Sequence, residues 1–262
     1  MQSIDDSPVI RDGNAVILAY DHGLEHGPKD FKPVPESADP DHVFDVATHD
    51  AVTCIATQKG VAEGYYPRYE DDVNLLLKLN GTSNLWEPDD YYSPKNCTVR
   101  YAVEELGASA VGYTMYAGSD HEGRMFNEFR EVQEEARKYG VPVVMWAYPR
   151  GRPIKNDTKT KTIGYGARIG LELGADMVKV KYAGSRDAME QVIDGTGDMK
   201  LVMSGGSKAS DRDFLEDVHA TIAAGGNGLA VGRNIFQRDD PQRMLDMLEQ
   251  VIYSGKTPDQ VL

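Results

Sequence analysis

The sequence predicts an α/β fold, a single (β/α)8 barrel (TIM barrel) that spans residues 1–262. Two patterns lead to this prediction: short apolar runs recur at intervals of roughly 25 to 35 residues, and amphipathic stretches with helical spacing fill the intervals. The length agrees, because such barrels typically need about 250 residues. No linker or low-complexity segment divides the chain, so we expect one domain.

Eight apolar runs are predicted to be strands, because each is too short for a typical helix. They lie at 15–19, 51–57, 73–79, 109–115, 141–147, 175–181, 200–204 and 228–232. One strand followed by one helix, repeated along the chain, is typical of a parallel sheet.

Local signals place the helix ends. Ser210, with an acidic residue three positions later, begins a helix predicted over 210–224. Asp240 followed by proline begins another, and Gly140 ends a third. The stretch 81–96, with Pro88 and Pro94, is predicted to be an inserted loop on the C-terminal face of the barrel.

Charge and cysteine content narrow the possible environments and partners. The chain carries 28 basic and 42 acidic residues, a net charge of −14, so we expect no binding to nucleic acid or to anionic membranes. Such acidity fits either a salty cytoplasm or an ordinary acidic cytosolic protein. Only Cys54 and Cys97 are present, and no signal peptide or long apolar run occurs. These features predict a cytoplasmic location.

Polar residues at strand ends define a candidate pocket, because active sites of such barrels form at the C-terminal ends of the strands. These residues are Asp21 after the first strand, Lys78 in the third, Trp146 and Tyr148 at the end of the fifth, and Lys179 and Lys181 in the sixth. Alternation supports this placement, because Val178 and Val180 suit the helix-facing side and so turn both sixth-strand lysines inward. The same alternation points Lys78, Trp146 and Tyr148 into the barrel.

The converging lysines suggest amine chemistry. A lysine attacks a ketone only when it is unprotonated, and burial or neighbouring cations lower its pKa. Periodicity does not choose between Lys179 and Lys181. Alternatively, both only form structural ion pairs with Asp21 or another acid.

A second group of residues predicts a phosphate site. Ser204, Gly205 and Gly206 follow the seventh strand, and Gly232 and Arg233 follow the eighth, where such barrels frequently bind phosphate. Glycines let backbone N–H groups approach an anion, and arginine binds its oxygens in a bidentate manner. The alternative is two ordinary glycine turns.

A metal site is not expected. His22 and His26 have the spacing of helical zinc ligands, but Gly23 and the position just after a strand predict a loop instead. Cys54 is predicted to be a small core residue. We therefore expect no metal and no cofactor.

Several stretches together resemble one family. They are ILAYDHGLEHGP at 17–28, LLLKLNG at 75–81, GASAVGYTMY at 107–116, VMWAYPRG at 144–151, ELGADMVKVKY at 172–182, VMSGG at 202–206 and AVGRNIFQR at 230–238. The chain resembles the archaeal-type (DhnA-like) class I fructose-bisphosphate aldolases over nearly its whole length. Ser207 stands where the family commonly has a proline.

The resemblance implies a role for each site residue. Lys179 would form a Schiff base with the substrate ketone, Asp21 would be the catalytic aspartate, and Tyr148 would transfer protons. Trp146 would line the pocket. The glycine loops with Ser204 and Arg233 would hold one phosphate of fructose 1,6-bisphosphate, with Lys78 and Lys181 as further substrate-binding candidates. The resemblance also suggests a homo-oligomer.

Three other functions remain open. A related enzyme uses the same lysine to make 2-amino-3,7-dideoxy-D-threo-hept-6-ulosonate, although the residues after Asp21-His22-Gly23 look more like those of the bisphosphate aldolases. A non-catalytic sugar-phosphate sensor could keep the same barrel. A metal-dependent aldolase would lose its activity to a chelator.

Overall fold

In the computed structural model, which describes residues 4–85 and 90–262, the predicted strands form a closed parallel barrel in sequence order. The strands are β1 (Ala15–Ala19), β2 (Cys54–Gln58), β3 (Leu75–Lys78), β4 (Ala110–Met115), β5 (Val143–Ala147), β6 (Met177–Lys181), β7 (Lys200–Ser204) and β8 (Gly228–Val231). β8 pairs with β1 and closes the ring. The predicted (β/α)8 barrel is confirmed.

Helices lie between the strands and follow the last one. They are α1 (Gly23–His26), α2 (Pro40–Ala47), α3 (Lys59–Tyr65), α4 (Val99–Glu104), α5 (Glu122–Tyr139), α6 (Thr160–Glu172), α7 (Arg186–Ile193), α8 (Asp211–Ala223), α9 (Arg233–Phe236), α10 (Pro241–Tyr253) and α11 (Pro258–Val261). Within the described ranges, no helix is both long enough and apolar enough to cross a membrane.

The predicted helix ends are found where the capping signals placed them. The Ser210 hydroxyl accepts the backbone N–H of Asp213 at the start of α8, and the Asp240 carboxylate accepts that of Arg243 at the start of α10. Gly140 ends α5 in the left-handed conformation, which glycine adopts without a steric penalty. Local chemistry thus fixes these boundaries.

Alternation along the strands separates two apolar layers, as predicted. Met177 and Trp146 belong to the cluster inside the barrel, whereas Val178, Val180 and Met145 pack under the helices. Cys54 is fully buried in the inner cluster, and burial raises the pKa of its thiol to about 12. Its predicted role as a small core residue fits this position.

The described part of the loop after β3 lies on the C-terminal face of the barrel, as predicted. Its base is held by Asn80, whose side-chain amide donates to the carbonyls of Ser93 and Thr114. Farther along the loop, Asp90 accepts the backbone N–H of Asp120 at 2.8 Å. Pro88, part of the predicted loop, lies outside the described residues.

Candidate active site

A cavity of about 470 Å³ opens at the C-terminal end of the barrel. Ten of the eleven predicted site residues line it: Asp21, Trp146, Tyr148, Lys179, Lys181, Ser204, Gly205, Gly206, Gly232 and Arg233. The loops after β1, β5, β7 and β8 therefore converge with β6 as the alternation of the strands predicts.

Lys179 lies at the floor of the cavity. It is 5% exposed, and its Nζ atom lies 4.8 Å from the centre of the Trp146 ring. Burial lowers the pKa of its amine to about 8, and the positive charge of Lys78 also lowers it, while Asp21 acts in the opposite direction. At pH 7 about a tenth of the amine is then neutral, which is the form that attacks a carbonyl.

Asp21 and Lys78 form a buried ion pair beside this amine. The Lys78 Nζ atom lies 3.3 Å from Asp21 Oδ2 and donates to Thr114 Oγ1 at 2.7 Å. Burial alone would raise the pKa of Asp21, but Lys78 and Lys179 outweigh it, so the pKa lies below its usual value. Lys78 is fully buried and lies beneath the cavity, and is not among the residues that line it.

Tyr148 stands one residue beyond β5. Its backbone N–H donates to the carbonyl of Met115 and extends the strand pairing to this position. Burial raises the pKa of its phenol, and the negative charges of Asp21 and Glu25 raise it further, against the opposing effect of Arg150. The hydroxyl therefore stays protonated over the physiological pH range and can donate a proton.

The loops after β7 and β8 are joined by a buried side chain. Asn234, 1% exposed, donates from Nδ2 to the carbonyls of Gly205 at 2.6 Å and Ser207 at 3.0 Å. Its Oδ1 accepts the N–H of Ala209 at 2.9 Å. Gly206 has φ = 61°, a conformation that favours glycine. These bonds fix the shape of the predicted phosphate loop.

Arg233 lies at the same end of the cavity. Its Nη1 atom is 3.5 Å from Asp30 Oδ2, and its side chain is 25% exposed. The ion pair orients the guanidinium while leaving part of it open to the cavity. The position suits an anion because arginine can bind phosphate oxygens with several donors.

Lys181 lies at the rim of the cavity. Its Nζ atom is 2.5 Å from Asp157 Oδ2, and Arg150 Nε lies 3.6 Å from the same oxygen. Lys181 thus forms an ion pair, one of the two possibilities in the sequence, although its partner is Asp157 and not Asp21. The two lysines of β6 therefore differ: Lys179 is buried at the floor of the cavity, whereas Lys181 is partly exposed at the rim and pairs with Asp157.

The segment from His22 to His26 differs from the prediction. We expected a loop, but Gly23–His26 forms one turn of α-helix, closed by the bond from His26 N–H to the His22 carbonyl. The prediction was wrong because a single turn is too short to show periodicity. His22 stacks on Phe236, with ring centres 5.1 Å apart, and burial lowers its pKa to about 4.

His26 has a different partner, since its Nδ1 atom lies 2.6 Å from Asp30 Oδ2. Among residues 4–85 and 90–262, no three His, Cys, Asp or Glu side chains are grouped to hold a metal ion. His22 is thus held in a ring stack with Phe236, and His26 in a hydrogen bond with Asp30.

Sequence reasoning gave no role of their own to four polar residues of the site: Asp30, Thr114, Asp157 and Asn234. Asp157 pairs with Lys181, and Asp30 contacts both His26 and Arg233. Lys181 and Arg233 lie far from their partners in the sequence, whereas His26 lies only four positions from Asp30. The one available signal was a polar residue within an apolar segment, which holds for Thr114 only.

Comparison with known proteins places this site in a family. The profile of the DeoC/LacD family aldolases matches residues 15–238. Fructose-bisphosphate aldolase class 1 of Halobacterium salinarum is 59% identical over 264 residues, covering 100% of this chain and 99% of that protein.

Two other similarities bear on the function. A solved structure of a Schiff base-forming fructose-1,6-bisphosphate aldolase is 42% identical, with a TM-score of 0.89, over 94% of this chain and 97% of the other. The 2-amino-3,7-dideoxy-D-threo-hept-6-ulosonate synthase 1 of Archaeoglobus fulgidus is 32% identical, over 98% of this chain and 92% of that protein. The resemblance drawn from the motifs is confirmed: the chain belongs to the DeoC/LacD family of aldolases.

Proposed function

We propose that the protein is a class I aldolase that reversibly cleaves fructose 1,6-bisphosphate to dihydroxyacetone phosphate and glyceraldehyde 3-phosphate through a Schiff base on Lys179. One observation carries the proposal: a buried amine with a lowered pKa lies on the floor of a cavity whose far end is built like a phosphate site. The similarity to class 1 fructose-bisphosphate aldolases supports the choice of substrate.

The first half of the reaction forms the electron sink. The neutral Lys179 amine adds to the C2 ketone, and loss of water gives a protonated iminium. Asp21 is held in its ionised form by Lys78 and Lys179, so it can accept the proton of the C4 hydroxyl. The C3–C4 bond then breaks, its electron pair moves toward the iminium nitrogen, and glyceraldehyde 3-phosphate leaves.

The second half returns the lysine. The remaining enamine needs a proton at C3, and the protonated phenol of Tyr148 supplies it. Addition of water to the iminium then releases dihydroxyacetone phosphate, the neutral amine and the proton that was taken up when the iminium formed. The proton on Asp21 passes through water to the Tyr148 phenolate, which restores both groups. Both protonation states that this sequence needs, an ionised Asp21 and a neutral Tyr148 phenol, coexist near pH 7.

The phosphates are held by groups at the cavity wall. Backbone N–H groups near Gly206, shaped by Asn234, and the Arg233 guanidinium hold one of them. Trp146 covers the wall beside Lys179. Lys181 and Arg150 at the rim are the positive groups available for the second phosphate, with Asp157 as the carboxylate that it would displace.

Replacing Arg233 with alanine is expected to raise KM for fructose 1,6-bisphosphate by about 10- to 100-fold, because a charged hydrogen-bond partner of phosphate is removed. Steady-state kinetics on phosphorylated and unphosphorylated ketoses measure this. Arg243→Ala, a change on the exposed face of α10, is the control. An equal loss for both kinds of substrate would contradict a phosphate-binding role.

Activity assays on the purified protein distinguish this function from its nearest alternative. With fructose 1,6-bisphosphate alone it should release triose phosphates, which a coupled dehydrogenase assay detects. If no triose phosphate appears, and 2-amino-3,7-dideoxy-D-threo-hept-6-ulosonate forms from the substrates of that synthase, the alternative is correct. The absence of turnover with either set would instead favour a sugar-phosphate sensor.

We further propose a cytoplasmic homo-oligomer whose assembly is favoured by salt. The charge of −14 per chain multiplies on association, and a Debye length of about 3 Å at 1 M salt largely removes the resulting repulsion. Light scattering over a salt series should give a mass above 28.9 kDa that rises or holds as salt is added. A mass equal to one chain, or one that falls with salt, would refute this.

A further inference from the structure

A row of inward-facing residues crosses four neighbouring strands at the floor of the cavity. Strand register places Lys78 beside Gly112 and Trp146 beside Lys179. The amino groups of the two lysines lie 4.6 Å and 4.8 Å from the centre of the same Trp146 ring. Asp21 reaches this row from the end of β1 and contacts Lys78 at 3.3 Å.

Gly112 makes this arrangement possible. A Cβ atom at this position would lie 2.7 Å from Trp146 Cζ3 and 2.8 Å from Lys78 Cδ, closer than real Cβ contacts allow. A glycine inside a strand often marks such a close approach. The missing side chain therefore lets a fully buried lysine extend along the ring toward Asp21, where Thr114 Oγ1 accepts another of its N–H groups.

We propose that Lys78 is a positioning residue of the aldol reaction. Its ammonium group holds the Asp21 carboxylate and prevents that carboxylate from stabilising the protonated form of Lys179 in an ion pair. The inference rests on the proposed function. It follows from charge balance: without Lys78, the one carboxylate in this row would face the one remaining amine, and opposite charges at short range stabilise the protonated, unreactive form.

The other charged groups around the Lys179 amine do not replace Lys78. Glu25 of α1 and Arg233 of α9 act on it with opposite signs, and both act less strongly than Asp21 and Lys78. The remaining titratable groups that line the cavity are His22, His26, Tyr148, Arg150, Lys181, Tyr182 and Asp217. Of these, Lys181 and Arg150 are engaged with Asp157, and His26 with Asp30.

The experiment that tests this proposal measures the rate of imine formation as a function of pH, separately from carbon–carbon cleavage. The full-length protein is mixed with dihydroxyacetone phosphate, sampled with borohydride, and the labelled fraction is read by mass spectrometry. The rate of trapping falls at low pH as Lys179 becomes protonated, and we call this part of the profile the acid limb. In Lys78→Met the acid limb should move to higher pH by about one unit or more, which slows trapping at pH 7 by about tenfold. Lys200→Met, which removes a lysine paired with Asp5 at the opposite end of the barrel, should leave the profile unchanged.

A second variant makes the test independent of whether Lys78→Met folds. Asp21→Asn keeps Lys78 and removes the carboxylate, so the acid limb should move to lower pH. Opposite shifts in the two variants support the proposal. Two results would overturn it. One is an acid limb that stays in place in Lys78→Met while trapping slows equally at every pH. The other is an acid limb in Asp21→Asn that stays in place or moves to higher pH. If the unaltered protein gives no label on Lys179, the proposed function itself fails.

Discussion

Lys179→Met is expected to lose essentially all cleavage of fructose 1,6-bisphosphate, with kcat/KM lower by roughly 10⁴-fold or more, as when a covalent nucleophile is removed. Methionine keeps much of the length and the apolar contacts of the buried lysine stem but has no amine to form the iminium. Steady-state assay with coupled detection of triose phosphates measures the loss.

Lys200→Met serves as the matched control, because it also replaces a strand lysine by methionine, at the other end of the barrel, where Lys200 pairs with Asp5. It should keep the activity of the unaltered protein. Thermal melts of the two variants show whether the barrel is intact. A folded Lys179→Met protein with activity near that of the unaltered enzyme would exclude a Schiff base at this position.

Tyr148→Phe is expected to lower kcat by about 10²-fold or more while KM changes little, since a positioned proton donor is lost and the ring remains. The step that slows is the transfer of a proton between Tyr148 and C3 of the enamine. Exchange of the C3 proton of dihydroxyacetone phosphate with solvent should therefore slow by a similar factor. NMR in deuterium oxide measures that exchange without any cleavage step.

Tyr253→Phe is the matched control, because the buried Tyr253 hydroxyl on α10 lies outside the cavity. Its kinetics should match those of the unaltered protein. If Tyr148→Phe instead raised KM sharply without lowering kcat, Tyr148 would be a binding residue and another group would supply the proton.

The sequence predicts the barrel well because its elements depend on local rules. Alternation within each strand decides which side chains turn inward, so the sequence alone assigns Lys78, Trp146 and Lys179 to the interior. Capping residues such as Ser210 likewise act on backbone groups three positions away. Such signals lie within a few residues of the element they determine.

The site depends on contacts that no local pattern encodes. Lys179 and Lys181 face the same way, and what separates them is a carboxylate from another loop, Asp157, which pairs with Lys181 at the rim. Lys78 was expected to bind substrate, but its partner Asp21 comes from a different strand and holds it below the cavity. Long-range ion pairs of this kind appear only when the chain is folded.

The most direct test of the account is a borohydride trap followed by peptide mapping. The protein is incubated with dihydroxyacetone phosphate, reduced, digested and analysed by mass spectrometry, because an iminium is reducible and a metal-bound enolate is not. We expect a single modified residue, Lys179, and no label in Lys179→Met. Label on Lys78 or Lys181, or no label under conditions where the enzyme turns over, would contradict the proposed mechanism.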